Sequence, residues 1–177
     1  MEYIKLMGAA LVILAGTGVG ACPVQKMKER IREFEMLYFC LLRLKSEISH
    51  EGKTLPEAVK MAACSKKDGN LGRYCTAMKN LANRLERGRE AYETQLRACV
   101  AECFRDGVIT IGEQEAFVDT FLLLGGGDKE KQVQMLSYYT ENVRLAVTQE
   151  KQKLKEKSYL YRSLGILGGI FLAVIMY

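Results

Sequence analysis

LYRSLGILGGIFLAVIMY, residues 160–177, has Arg162 as its only charged side chain, and the last fourteen residues carry no charge. LMGAALVILAGTGVGAC, residues 6–22, is a second uncharged run of seventeen residues. A helix needs roughly 20 residues, and about 17 at the least, to cross a hydrocarbon core of about 30 Å. With tyrosines placed at the interfaces, the sequence predicts one transmembrane helix at residues 3–22 and another at residues 159–177. The alternative is a pair of buried helices, which so small a soluble domain would struggle to cover on every side.

Basic residues flank both apolar runs on the side that faces the middle of the chain. They are Lys26, Lys28, Arg30 and Arg32 after the first run, and Lys151, Lys153, Lys155, Lys157 and Arg162 beside the second. Cytoplasmic flanks of membrane helices carry an excess of Lys and Arg, so we expect the middle of the chain in the cytoplasm and both short termini outside. The flanks account for most of the net charge of +5. A nucleic-acid partner is therefore not expected, since that would need basic and aromatic residues gathered on one face of the domain.

Each predicted span contains a GxxxG spacing. Gly16 and Gly20 form the first, and Gly165 and Gly169 form the second. Small residues at this spacing let two helix backbones approach closely in lipid, which would pair the spans as a hairpin. Glycine is also common in membrane helices without such a role, so both interpretations stay open.

The middle of the chain, residues 23–158, shows helical patterns throughout. Apolar residues recur three or four apart from Met27 to Ile48, and Pro23 suits a first helical turn. The stretches TLPE (residues 54–57) and TIGE (residues 110–113) have the spacing of capping boxes, and Asp128 follows the glycines of GGGD as a helix cap. From residue 129 no glycine or proline occurs until Gly165, which predicts one helix running from the domain into the membrane. The predicted fold is all-α: a membrane-anchored antiparallel helical bundle with one transmembrane helix at each end.

The residues offer little for catalysis or metal binding. There is a single histidine, His50, and there are six cysteines without a CxxC pair: Cys22, Cys40, Cys64, Cys75, Cys99 and Cys103. Cys99 and Cys103 lie one helical turn apart, but reduced and packed thiols are the commoner case. The GTGVG of residues 16–20 lacks the lysine and the preceding strand of a nucleotide-binding loop. We therefore expect no enzyme activity, no metal and no cofactor.

A competing interpretation of the N-terminus is a lipoprotein signal. VGAC, residues 19–22, loosely resembles a lipoprotein cleavage box, which would leave Cys22 lipidated and the domain outside the cell. The basic stretch that follows opposes export. This extracytoplasmic lipoprotein or membrane-tethered sensor is the alternative to the cytoplasmic interpretation.

Four stretches together resemble the stage III sporulation protein AB family. LYRSLGILGGIF (residues 160–171) resembles the C-terminal signature of that family, and GAALVILAGTGVG (8–20), LKSEISHEGKTLPEA (44–58) and FLLLGGGDKEKQ (121–132) match further family segments in order. The residues carrying these matches are Thr54, Leu55, Pro56, Glu57, Gly125, Asp128, Tyr161, Arg162, Ser163, Leu164, Gly165, Gly168 and Gly169. Gly126 and Gly127 depart from the pattern, because the family tends to carry a larger residue beside its Leu-Gly pair.

The resemblance implies a non-enzymatic platform or adaptor subunit. The family is similar to the cytoplasmic helical domain of type II secretion platform proteins and belongs to a channel complex between mother cell and forespore. By that analogy the protein lies in the mother-cell membrane around the forespore and docks a secretion-type ATPase and other channel subunits, with further copies of the chain left open as partners. Tethering at both ends raises the effective concentration of such partners. We place their contacts around Arg43, Glu47 and the TLPE turn, although capping or solvation would explain the same residues.

Overall fold

The computed structural model describes residues 2–51, 53–63, 72–85, 91–105, 108–126 and 128–176. Within these ranges it leaves undescribed the side chains of residues 2–22, 51, 85, 161, 162, 165, 166, 169, 170 and 172–176. The described residues form six helices and no strand, so the all-α prediction is confirmed. The helices are α1 (Glu2–Glu51), α2 (Leu55–Ala63), α3 (Arg73–Leu85), α4 (Tyr92–Cys103), α5 (Ile111–Gly126) and α6 (Lys129–Met176).

The chain divides into two compact units, and the larger is Arg32–Val147. In this unit α2 packs against α3, α3 against α4 and α4 against α5. An aromatic cluster stands at its centre, where the ring of Tyr74 lies 4.8 Å from that of Phe104 and 5.3 Å from that of Phe117. Tyr74, Phe117 and Phe121 are fully buried. Aromatic side chains bury the largest apolar areas, so this cluster contributes strongly to the stability of the unit.

Within this unit α1 is the central helix rather than a surface helix. The predicted stripe is buried at Phe34, Leu41, Leu44 and Ile48, but Met36, Leu37 and Cys40 on neighbouring faces are buried as well. A helix packed on one side shows a single apolar stripe, whereas a helix buried on most sides shows apolar residues all round. What stays exposed is a narrow strip that includes Phe39, Leu42 and Ser46.

The predicted capping boxes TLPE and TIGE both lie at helix starts, but the threonine hydroxyl makes a different hydrogen bond in each. At the start of α5, the Thr110 backbone N–H donates to Glu113 Oε2 at 2.8 Å, and the Glu113 N–H donates to Thr110 Oγ1 at 3.4 Å. Both halves of a capping box are therefore made. At the start of α2 the Glu57 carboxylate accepts from the Thr54 N–H at 3.2 Å, but the Thr54 hydroxyl donates to the same carboxylate at 2.9 Å.

The start of α3 is capped from a distant part of the chain. The buried Glu33 of α1 accepts the Arg73 backbone N–H at 2.7 Å and pairs with the Arg73 guanidinium at 2.9 Å. A Cβ at Gly72 would lie 2.7 Å from Met36 Sδ and 2.8 Å from Glu33 Oε2, so a larger residue there would have to displace one of these side chains. Because the first N–H groups of a helix have no partner within it, Glu33 supplies an acceptor that no neighbouring residue provides.

The second unit, Met1–Ile31 with Thr148–Tyr177, contains the outer parts of α1 and α6. Arg30 Nε lies 3.6 Å from Glu150 Oε2, and the Glu150 side chain is only 13% exposed. This ion pair brings α1 and α6 together within the unit. The pairing explains why the charged Glu150 can be largely buried on α6.

One sequence prediction about α1 is wrong. Pro23 was placed in the first turn of a helix, but α1 runs through it without ending. Proline removes one backbone hydrogen bond from a helix interior and clashes with the carbonyl four residues before it, which costs about 3 kcal/mol in water.

The predicted spans lie largely outside the part of the chain whose side chains are described. Among the residues that are described, no helical stretch combines the length and the hydropathy required to span a bilayer. The boundaries predicted at residues 22/23 and 158/159 stay predictions. The division into packed units falls nearer the middle of the chain, at 31/32 and 147/148.

Candidate functional site

The exposed strip of α1 is the strongest candidate for a contact surface on the larger unit. Phe39 is 61% exposed and Leu42 is 41% exposed, on a helix that is otherwise mostly buried. The Phe39 ring lies edge-on to the ring of Tyr38, with centroids 5.6 Å apart. We call Phe39, Leu42, Arg43 and Ser46 the α1 strip. Phenylalanine and arginine are both enriched in protein interfaces relative to the rest of the surface.

Glu47 ties the end of α1 to the turn that follows it. Its carboxylate lies 2.5 Å from Lys53 Nζ and 3.5 Å from Arg43 Nε, and the residue is 8% exposed. The hydrogen bond from Lys53, with the charges of Lys53 and Arg43, holds the pKa of Glu47 below its usual value. Of the two predicted contact residues, Glu47 is thus engaged within the protein, while the Arg43 side chain is 39% exposed and borders Phe39 and Leu42 on the helix surface.

The TLPE turn lies directly after this network. Thr54 and Glu57 are exposed and bond to each other, as described above, whereas Leu55 is half-buried against the core. Pro56 occupies the first turn of α2, where its missing N–H costs nothing. The segment therefore begins α2, and its residues Thr54 and Glu57 are exposed to solvent.

The glycine-rich junction between α5 and α6 is held by specific hydrogen bonds. The Tyr92 hydroxyl of α4 donates to the Phe121 carbonyl at 2.7 Å, and its ring covers Gly125, where a Cβ would lie 2.8 Å from Cε1. Across the junction, Gln132 Nε2 donates to the Leu124 carbonyl at 2.7 Å. Asp128 caps α6, since its Oδ1 accepts the Lys131 N–H at 2.9 Å.

These contacts give a structural role to three residues of the segment at 121–132 that resembles the family pattern. Gly125 gives room for Tyr92, Asp128 starts α6, and Gln132 reaches back to the end of α5. Burial raises the pKa of Tyr92, so its hydroxyl stays protonated and able to donate at neutral pH. Gly126 has open space where a Cβ would stand, and Gly127 is outside the described residues.

The C-terminal signature residues lie on α6. Ser163 is half-buried, Leu164 is exposed, and Gly168 has open space where a Cβ would stand. The side chains of Tyr161 and Arg162, and the surroundings of the GxxxG glycines Gly16, Gly20, Gly165 and Gly169, lie outside the description. Large apolar residues on the same segment are exposed; they are Leu160, Leu164, Leu167 and Phe171.

The described residues hold no arrangement suited to metal binding or thiol chemistry. No group of three or more His, Cys, Asp or Glu side chains converges in that part of the chain. Cys99 is fully buried, and burial raises the pKa of its thiol to about 11, so almost none of it is thiolate at neutral pH. Cys103 is half-buried, its pKa is raised for the same reason, and Asn80 Nδ2 lies 3.8 Å from its sulfur. Cys99 and Cys103 are both free thiols.

Sequence reasoning missed several residues that matter for these features. Phe39 and Leu42 were not singled out because an isolated exposed apolar residue carries no signal until the burial of the rest of α1 is known. Glu33 and Tyr92 act across 40 and 29 positions of the chain, so no local pattern reveals their partners.

Comparison with known proteins identifies a family that the chain matches. A family model described as stage III sporulation protein AB covers residues 5–177, which is all but the first four residues of the chain. Neither a curated protein nor a solved structure shows significant similarity to the chain.

Proposed function

The chain belongs to the stage III sporulation protein AB family and so has a role in sporulation, and we propose that it acts there as a non-enzymatic platform subunit of a channel complex. In this proposal a helical hairpin formed by the ends of α1 and α6 anchors the protein in the mother-cell membrane around the forespore. The larger unit faces the cytoplasm and docks a secretion-type ATPase and other channel subunits.

The observation that carries the anchor proposal is the register of α1 against α6. Residue 22, the end of the first apolar run, lies eight residues beyond Arg30, and residue 159, the start of the second, lies nine residues beyond Glu150. At about 1.5 Å per residue, the two runs begin about 12 and 14 Å beyond the same ion pair. Two apolar segments that start at one level of an antiparallel pair can enter one bilayer together.

The register also relates the two glycine motifs. Residues opposite each other in this hairpin have numbers that sum to about 180, as for Arg30 and Glu150. Gly16 and Gly165 therefore fall at the same level, whereas Gly20 and Gly169 lie four residues away from that level in opposite directions, so one glycine of each motif is placed for close packing of the two helices.

The docking part of the proposal is supported by the α1 strip. Phe39 and Leu42 lie one helical turn apart and offer an apolar contact, and Arg43 beside them can form a charge-assisted hydrogen bond with an acidic group of a partner. In this proposal Glu47 does not contact the partner. Its ion pairs with Arg43 and Lys53 position the Arg43 side chain and the TLPE turn.

A topology experiment tests the proposal. Thr94 is an exposed residue of α4, so T94C offers a reactive thiol that the buried Cys99 does not provide. We expect a membrane-impermeant maleimide to label the T94C variant only after the inner membrane is permeabilised, with the parent chain as the control for native cysteines. Labelling of T94C before permeabilisation would contradict a cytoplasmic domain, and a lipid-sized mass increase on Cys22 would then support the lipoprotein alternative.

A further inference from the structure

The positive charge of the protein is concentrated at the base of the α1/α6 hairpin. Residues 23–32 carry four basic side chains and one acidic, and residues 148–162 carry five basic and two acidic. This excess of six positive charges is larger than the net charge of +5 for the whole chain, so the remainder of the protein is slightly acidic.

The acidic side chains of the α6 segment are already engaged by nearby residues. Glu150 contacts Arg30 at 3.6 Å and Lys153 at 3.0 Å, and Glu156 Oε1 accepts from Gln152 at 3.2 Å. Four further lysines near the base of the hairpin are exposed: Lys26 and Lys28 on α1, and Lys155 and Lys157 on α6. Among the described residues, no acidic side chain forms an ion pair with any of these four. We call them the basic collar.

The spacing of the collar lysines spreads them around the hairpin. Residues two apart on a helix are separated by about 200°, so Lys155 and Lys157 lie on different sides of α6, as Lys26 and Lys28 do on α1. Leu154 of α6 is half-buried between the two lysines of its helix. The collar therefore surrounds the hairpin instead of forming a patch on one face, as expected for a surface that meets a plane rather than a single docked protein.

The collar is also close to the level at which the apolar runs begin. Lys157 is two residues from residue 159, and Lys26 is four residues from residue 22, which is about 3 Å and 6 Å along the helices. These distances are shorter than the Debye length of about 10 Å at 0.1 M salt, so salt at that concentration would screen the attraction between the lysines and lipid headgroups only in part.

From this charge distribution we propose that the basic collar binds the headgroups of anionic phospholipids. The inference rests on the proposed membrane anchor, and it adds the chemical class of lipid that surrounds the hairpin. Juxtamembrane lysines and arginines each contribute to attraction by an anionic leaflet, and the attraction is screened by salt.

Spin-labelled lipids test the proposal on the full chain reconstituted in phosphatidylcholine vesicles. We expect the wild-type chain to prefer phosphatidylglycerol over phosphatidylcholine at its surface by roughly three- to tenfold at low salt. The preference should fall toward unity in K26Q/K28Q/K155Q/K157Q and in high salt. The matched control K45Q/K60Q/K79Q/K129Q removes four lysines from the larger unit and should keep the wild-type preference.

The outcomes separate this proposal from the anchor itself. A chain that stays in the vesicles but shows no lipid preference, or the same loss in both quadruple variants, overturns the collar and leaves the anchor standing. If the collar variant keeps the wild-type preference, the lysines serve another partner, such as an acidic protein segment, and the proposal is overturned. A chain that floats without insertion only on phosphatidylglycerol vesicles supports the collar and contradicts the anchor, and one that floats with neither lipid overturns both.

Discussion

At the scale of single residues, Gly125 is a position where the structure leaves no room for a side chain, because the ring of Tyr92 lies against it. Tyr92 is fixed by its hydrogen bond to the Phe121 carbonyl, so its ring cannot move aside without losing that bond. Gly126, the next residue of α5, has no such neighbour. Two adjacent glycines therefore have different roles, one in packing and one without a contact to explain it.

We predict that Gly125→Ala destabilises the protein by about 1–3 kcal/mol, because the added Cβ would stand 2.8 Å from Tyr92 Cε1. Gly126→Ala is the matched control, and we expect it to be neutral or to stabilise by up to about 1 kcal/mol through its higher helix propensity. Thermal unfolding of the full chain in detergent micelles measures both. Equal midpoints for the two variants would show that Tyr92 does not restrict this position.

At the scale of helices, the α1 strip makes a prediction about docking. F39D/L42D places charge on the exposed strip while leaving the buried faces of α1 unchanged, so we expect at least tenfold weaker capture of the secretion-type ATPase with the fold retained. The control I111D/L123D alters two other exposed apolar residues of the same unit and should capture normally. Co-purification of the full chain with the ATPase, quantified against circular dichroism of each variant, provides the measurement.

Two results would contradict the assignment of this surface. Undiminished capture by F39D/L42D would show that the contact surface lies elsewhere on the unit. An equal loss in the control pair would mean that added negative charge, and not the α1 strip, weakens the complex.

Much of the helical organisation could be predicted from sequence, because its signals are local. TLPE and TIGE identify the starts of α2 and α5, and the absence of glycine and proline after Asp128 identifies the length of α6. The central position of α1 could not be predicted, since burial on several faces depends on the other helices. The cap on α3 could not be predicted for the same reason, because Glu33 is 40 positions from Arg73 and the two residues meet only in the folded unit.

At the scale of the whole molecule, the account depends on the two ends of the chain acting as one structure. The ion pair between Arg30 and Glu150 sets the register of α1 and α6, and the apolar runs begin at matching distances beyond it. The exposed Tyr159, at the start of the second run, suits the headgroup level of a bilayer. A hairpin of this kind would hold the larger unit at the membrane and raise the local concentration of any partner anchored beside it.

The measurement that most directly tests this anchor is extraction of membranes in alkaline carbonate, which releases proteins that are only attached to the surface. We predict that the full chain stays in the membrane pellet after carbonate treatment and is released by detergent, because both apolar runs are held by the hydrocarbon core. Recovery of the chain in the carbonate supernatant without detergent would contradict the anchored hairpin.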